Sequence, residues 1–233
     1  MTPSPASALR DGIGRNNPVW AQLLGLCPLL AVSSSTVSAL TLALASAFVL
    51  VGANLSVSTL RRWIPDFLRL PAFMLIIATF TTCAVLLLEA WAFDLYLRIA
   101  LFVQIIVTNC MILGRVERFA SRQPPGLALL DALGTAGGFA LALLTLGAVR
   151  ELLGHGTLLA DMDMLFGPTA AGWRIDLPGA PEGLVLATLP PGAFIIAGLL
   201  LGLGNAIVQR MRSRAAPEQR SRAEARSPTE EGQ

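Results

Sequence analysis

The sequence predicts an all-α integral membrane protein of six transmembrane helices, arranged as two inverted three-helix repeats. Helices 1 and 4, the first of each repeat, are expected to be interrupted near mid-membrane. Three observations lead there: long apolar blocks in a chain poor in charge, arginines that alternate between connections, and matching irregularities in the first and fourth blocks. Of 233 residues 54% are hydrophobic and 14% charged, with a mean hydropathy of +0.65. A soluble domain carries about 25% charged residues. Several blocks here reach the roughly 20 apolar residues that a helix needs to cross a bilayer. The opening stretch, MTPSPASALRDGIGRNNP, has neither the apolar core nor the small-residue cleavage site of a signal peptide, so its removal is not expected.

The apolar blocks lie near 19–35, 37–59, 70–92, 96–114, 126–149 and 190–210. Turn and polar signals separate them: SSST at 33–36, RRWIPDFLR at 61–69 and RVERFASRQPP at 115–125. The longest connection, 151–189, is rich in Gly and Pro and is expected as a periplasmic loop. The organisation that follows is a cytoplasmic arm (1–17), a first half (18–122), a second half (123–211) and a disordered basic tail (212–233). The tail mixes Arg, Glu, Ala and Pro with almost no large apolar side chain, and its arginines suit either solvent or anionic lipid.

Charge tests this count independently. The chain has no lysine, so its seventeen cationic side chains are all arginines. With a cytoplasmic N-terminus, the inner pieces hold Arg10, Arg15, Arg61, Arg62, Arg69, Arg115, Arg118, Arg122 and the six arginines from Arg210 to Arg226. The outer side keeps only Arg98, Arg150 and Arg174, against the acids Glu89, Asp94, Glu151, Asp161, Asp163, Asp176 and Glu182. Arginine resists translocation, so this split supports both termini on the cytoplasmic face. Trp20, Trp63 and Trp91 fall at predicted helix ends, where an amphipathic ring prefers the headgroup level.

Three helices per half make any repeat inverted, because the second half then enters from the opposite face. Helix 1 contains Gly25-Leu26-Cys27-Pro28 and helix 4 contains Thr108-Asn109-Cys110. Pro28 lacks a backbone donor and disfavours helix at Cys27, and Asn109 competes for backbone groups. Interrupted helices at corresponding positions of two halves point to a site near the midplane. Irregular backbone is tolerated in lipid only where protein or a cavity covers it.

Both interruptions carry a cysteine, and the third, Cys83, lies in an uninterrupted block and is read as packing. An odd count inside apolar blocks excludes a secreted disulfide framework. Three readings stand for Cys27 and Cys110. Thiolates ligate iron–sulfur clusters, normally four at a time, and free N–H groups at broken helix ends would favour the negative charge. Small apolar packing is the commoner fate of a membrane cysteine, and two cysteines alone do not define a cluster site. A disulfide between them is the third.

The stretches VWAQLLGLCPLLAVSSS, IIVTNCMILGR and LPPGAF, with LSVSTLR at 55–61 and VRELLGHGTL at 149–158, resemble the NqrD/RnfE family. These are membrane subunits of Rnf electron-transport complexes and of the sodium-pumping NADH:quinone reductase, and the likeness runs from about Asn17 to Met211. The arm and the tail fall outside it. The resemblance implies a subunit of an ion-translocating NADH/ferredoxin oxidoreductase in the bacterial inner membrane, without a self-contained active site. It implies a homologous A-type partner of opposite orientation beside further B, C, D and G subunits. It also implies one [2Fe–2S] cluster shared with that partner, its two ligands from this chain falling on Cys27 and Cys110. Electron relay through the cluster, coupled to Na+ or H+ movement, is the function this predicts. A secondary transporter and a non-redox scaffold are the alternatives.

Other polar positions carry less. Asp131 is the one acid well inside a predicted helix, about 8 Å from its start, where local pairing is a better expectation than an ion path. Asn54, Gln104 and Asn205 are candidates for interhelical hydrogen bonds, and Gly134, Gly137 and Gly138 for close helix contact. Those glycines follow no strand, which removes a nucleotide-binding loop. His155 is expected in a solvated external loop. No nucleic-acid-binding surface is expected.

Overall fold

The computed structural model describes residues 19, 22–33, 35–91, 93–155, 157–158, 175–176 and 189–206. Trp20, the N-terminal arm, most of the connection 159–188 and the basic tail lie outside the described residues. The elements in order are α1 (Leu26–Val32), α2 (Thr36–Leu60), α3 (Arg69–Trp91), α4 (Phe93–Gln104), α5 (Cys110–Arg115) and α6 (Pro125–His155). A further helix, α7, spans Pro190–Ala206. One 3-10 turn leads into α3 at Asp66–Leu68, a second follows α4 at Ile105–Thr108, and a π-helical turn at Val116–Ala120 follows α5. Besides these helices and the turns between them, the described residues hold one two-residue antiparallel pair, β1 (Thr157–Leu158) with β2 (Ile175–Asp176).

Three segments are long and apolar enough to cross a membrane, Thr36–Leu60, Asp66–Trp91 and Pro125–Gly154, and α7 is a shorter apolar helix. The chain divides into two units between Ala193 and Phe194, so most of α7 stands in a unit of its own. Within the first unit α2 and α6 form the core. Leu42, Val49, Leu50, Ala53 and Val57 of α2 and Phe139, Ala142, Leu143 and Leu146 of α6 are buried. Thr36 of α2 meets Glu151 of α6, while Ser58 meets the carbonyl of Gln123 just before it, so the two helices run antiparallel.

Lipid-like surroundings give no hydrophobic drive between helices, so close van der Waals fit has to hold them. Gly147 provides it on α6: a Cβ there would stand 3.1 Å from Ala39 Cβ and 3.5 Å from Thr36 Cα. Gly52 does the same for α3, whose Phe80 ring lies where a Cβ would come within 2.6 Å of it. That ring also meets Phe48 edge-on at 6.3 Å. Gly134 and Gly138 are buried in α6, in keeping with their expected packing role. The outward side of α3 is apolar and exposed at Leu75, Leu86 and Leu87, as a lipid-facing wall would be. Trp63 and Trp91 are 89% and 95% exposed, which suits rings resting in a headgroup layer.

Three boundaries and the conformation at Cys27 differ from the sequence expectation. The first helix among the described residues is only Leu26–Val32; Leu23 and Gly25 adopt positive φ, 54° and 80°, and residues 22–25 are not helical. Cys27 is helical rather than displaced, because Pro28 falls in the first turn, where its missing N–H has no intrahelical partner to lose. α5 and the π turn carry the chain to Ala120, so Arg115 and Arg118 are helical rather than loop residues. Finally, α6 continues to His155, placing Arg150, Glu151 and His155 in a helix rather than in the connection expected from 151.

Candidate functional site: two thiols at two helix breaks

The second break forms at Asn109. Its backbone is extended (φ −64°, ψ 113°), and its side-chain oxygen accepts from the amide of Met111 at 3.0 Å. This is an ordinary N-cap, which stops the 3-10 turn and starts α5 with Cys110 as its first residue. The first irregularity ends at Gly25, the residue before α1, whose left-handed backbone favours glycine. Cys27 then occupies the second position of α1.

The two breaks meet. The Gly25 amide donates to Cys110 Sγ at 3.2 Å, across 85 residues of sequence. A Cβ on Gly25 would lie 3.5 Å from both Asn109 Oδ1 and Met111 Cβ, and 3.0 Å from Cε2 of Phe139 on α6. Cys27 and Cys110 are free thiols, both exposed on the surface of this chain. Cys83, also free and exposed, lies within α3. Among the described residues no group of three or more His, Cys, Asp or Glu side chains is placed to hold a metal ion. The donor set at the breaks is thus two thiols with one backbone donor beside them. That fits half of a four-thiolate iron–sulfur site and not a whole one.

Buried polar contacts fasten the far ends of both short helices to α6. Arg150, fully buried, donates from Nη1 to the Leu30 carbonyl at 3.2 Å and to Ser33 Oγ at 2.7 Å, at the C-terminal end of α1. Its Nη2 donates to the Leu189 carbonyl at 3.4 Å. The neighbouring Glu151 accepts the amide of Thr36, the first residue of α2, at 2.8 Å. Adjacent residues of one helix therefore supply the donors that one helix end lacks and the acceptor that the next lacks. At the other end, Arg115 of α5 pairs with Asp131 Oδ1 at 3.1 Å and donates from Nε to Thr135 Oγ1 at 2.9 Å. Asp131 is thus locally paired, as expected, while its second oxygen is buried without a hydrogen bond.

The sequence singles out Cys27 and Cys110 but not Gly25, Arg150 or Glu151. Gly25 is legible there only as part of an irregular run, and the Arg150–Glu151 pair falls to the outer loop. Asn54 Oδ1 is buried without a partner, and Gln104 and Asn205 are exposed, so the interhelical bonds expected of these three are not found among the described contacts.

These features define a membrane protein of several apolar helices, with Cys27 and Cys110 each in the first turn of a short helix and the backbone before one of them meeting the other. The chain belongs to the Rnf-Nqr family, described as "Rnf-Nqr subunit, membrane protein", whose signature matches residues 6–201. It is 53% identical over 206 residues to the E subunit of the ion-translocating oxidoreductase complex of Pseudomonas paraeruginosa (strain DSM 24068 / PA7), covering 88% of this chain and 86% of that one. It is 52% identical over 206 residues to the protein of the same name from Pseudomonas aeruginosa (strain LESB58), covering 88% and 87%. A third, from Aliivibrio fischeri (strain MJ11), is 48% identical over 210 residues, covering 90% and 92%.

Proposed function

We propose that this chain is a membrane subunit of an Rnf-type ion-translocating NADH/ferredoxin oxidoreductase, contributing Cys27 and Cys110 to a [2Fe–2S] cluster. A homologous A-type subunit completes the ligand set with two cysteines of its own. In this reading the chain crosses a bacterial inner membrane six times as two inverted halves, with both termini in the cytoplasm. The observation that carries it is the Gly25 N–H at 3.2 Å from Cys110 Sγ, which brings the two cysteine-bearing breaks together. The exposure of both thiols supports it, because a shared site requires ligands that a second chain can reach. The names of the relatives supply the setting of a redox-driven ion-translocating complex.

When bound, such a cluster accepts and returns single electrons. The chain's own residues supply its surroundings. Cys27 and Cys110 present the sulfurs, and the Gly25 amide stabilises negative charge on Cys110 Sγ, since a hydrogen bond to an ionised acceptor is about twice as strong as a neutral one. Phe139, buried against Gly25, keeps that amide away from water. Electron transfer through this chain is coupled to Na+ or H+ movement by the complex as a whole.

The test is low-temperature EPR with iron and sulfide analysis on this chain purified with its A-type partner. A [2Fe–2S] signal present in the wild type and lost in both Cys27→Ala and Cys110→Ala is the expected result. An intact pair without iron would return the cysteines to packing and favour a transporter or scaffold.

A further inference from the structure

Two short helices carry the thiols, and neither is long enough to hold its own place. α1 spans seven residues and α5 six before the five-residue π turn that continues it, below the length of about 12–15 at which an isolated helix is stable. Something else must fix where Cys27 stands relative to Cys110. The contacts that do so converge on one element.

Along α6 the order is Asp131 and Thr135, then Phe139, then Arg150 and Glu151. Thr135 and Arg150 stand about 22 Å apart at 1.5 Å per residue. Arg115, the last residue of α5, is held at the first station. Gly25, at the start of α1, rests against Phe139 at the second. Leu30 and Ser33, at the end of α1, are held at the third. The thiol-bearing ends therefore face each other across the middle of α6, and their far ends are tied down towards opposite ends of it.

We propose that α6 is a gauge that sets the relation of Cys27 to Cys110, with Arg150 and the Arg115–Asp131 pair as positioning residues. The proposal rests on the reading of the two cysteines as a working pair. Arginine suits this task at the α1 end, because its planar fork reaches the Leu30 carbonyl, Ser33 Oγ and the Leu189 carbonyl at once. A fixed multi-point contact leaves α1 less freedom to slide than a single bond would. Glu151 holds the start of α2 just beyond the Ser33–Ser35 turn, so the turn is clamped from both sides. At the α5 end Asp131 is buried and Arg115 partly so, with side-chain exposures of 5% and 16%, so salt screens the pair less than it would on an open surface.

The gauge is tested without iron. The full-length chain, with Cys83→Ser to leave two thiols, is expressed in membranes without the other subunits and treated with dibromobimane. This reagent fluoresces once it bridges two thiols. Bridging depends steeply on separation and orientation, so Arg150→Gln and Asp131→Asn are each expected to slow it roughly tenfold. Arg150→Lys, which keeps charge but not the fork, recovers part of the rate. Gly52→Ala, which disturbs the α2–α3 contact instead, leaves bridging unchanged and controls for general loosening. Should Arg150→Gln fail to accumulate, Ser33→Ala removes one of its partners and gives a smaller fall. Parental rates in Arg150→Gln and Asp131→Asn, or in Ser33→Ala where it stands in, overturn the gauge; so does slowing at one end alone, or equal slowing in Gly52→Ala. Normal bridging geometry in a chain that binds no iron with its partner would sink the cluster reading and leave the gauge standing.

Discussion

The amide of Gly25 lies 3.2 Å from the sulfur of Cys110, although 85 residues separate them. Gly25 itself has left-handed backbone, φ 80°, and Phe139 occupies the space a side chain would need. Gly25→Ala therefore meets two penalties at one position. The left-handed conformation costs a non-glycine residue about 1–2 kcal/mol, and the new methyl presses on Phe139 at 3.0 Å. The expected outcome is a lower thermal midpoint in detergent together with reduced iron in the assembled pair. Phe139→Leu should relieve the contact and recover part of the stability while leaving the backbone penalty. An unchanged midpoint in Gly25→Ala would mean that the left-handed turn does not form.

Cys83 provides the internal contrast for the two break cysteines. It is free and exposed like them, but it lies within the continuous helix α3. Cys83→Ala is expected to keep full iron content and an unaltered EPR spectrum, while Cys27→Ala and Cys110→Ala lose both. Loss of iron on removing Cys83 alone would show that Cys83 belongs to the ligand set.

Much of this is open to a reader of the sequence, and the failures share a cause. The apolar blocks around α2, α3 and α6 are unmistakable because hydropathy is a sum over many residues. The break at Asn109 is legible because an N-cap is a local event, decided by one side chain and its own backbone. The break at Gly25 is located only roughly. Pro28 has the look of the disruptor, but in a first turn a proline is harmless, and its position in the turn depends on where the helix starts. Arg150 and Glu151 escape the sequence for a longer-range reason. Two charges beside a glycine-rich stretch look like a loop, and their partners, Ser33 and Thr36, lie more than a hundred residues away. Arg115 passes for a loop cation on the same ground, its partner Asp131 lying on the next helix.

Asn109 supplies a prediction at the capping level. Replacing an Asn cap by Ala costs about 1 kcal/mol, with a range of roughly 0.5–2. Asn109→Ala is expected to lose stability in that range, and Asn109→Asp or Asn109→Ser to retain most of it, since either oxygen can accept the Met111 amide. Chemical denaturation in mild detergent reads the difference. Equal losses in all three variants would mean that Asn109 does not act through the acceptor oxygen at the Met111 amide.

Asp131 and Arg115 set the largest single effect expected outside the thiols. Asp131→Ala leaves a partly buried guanidinium with Thr135 as the remaining partner among the described contacts. Breaking a buried pair from one side costs about 3–5 kcal/mol, whereas replacing both members by apolar groups is often neutral. The double variant Asp131→Ala with Arg115→Met should therefore be more stable than Asp131→Ala alone. Asp131→Asn belongs between them, because an amide oxygen can still accept from Arg115 without matching its charge. Heat inactivation in detergent ranks the three. A double variant no better than the single would mean that Arg115 reaches water once Asp131 is gone, so that the 3.1 Å contact is a surface pair in energetic terms, worth about 1 kcal/mol or less.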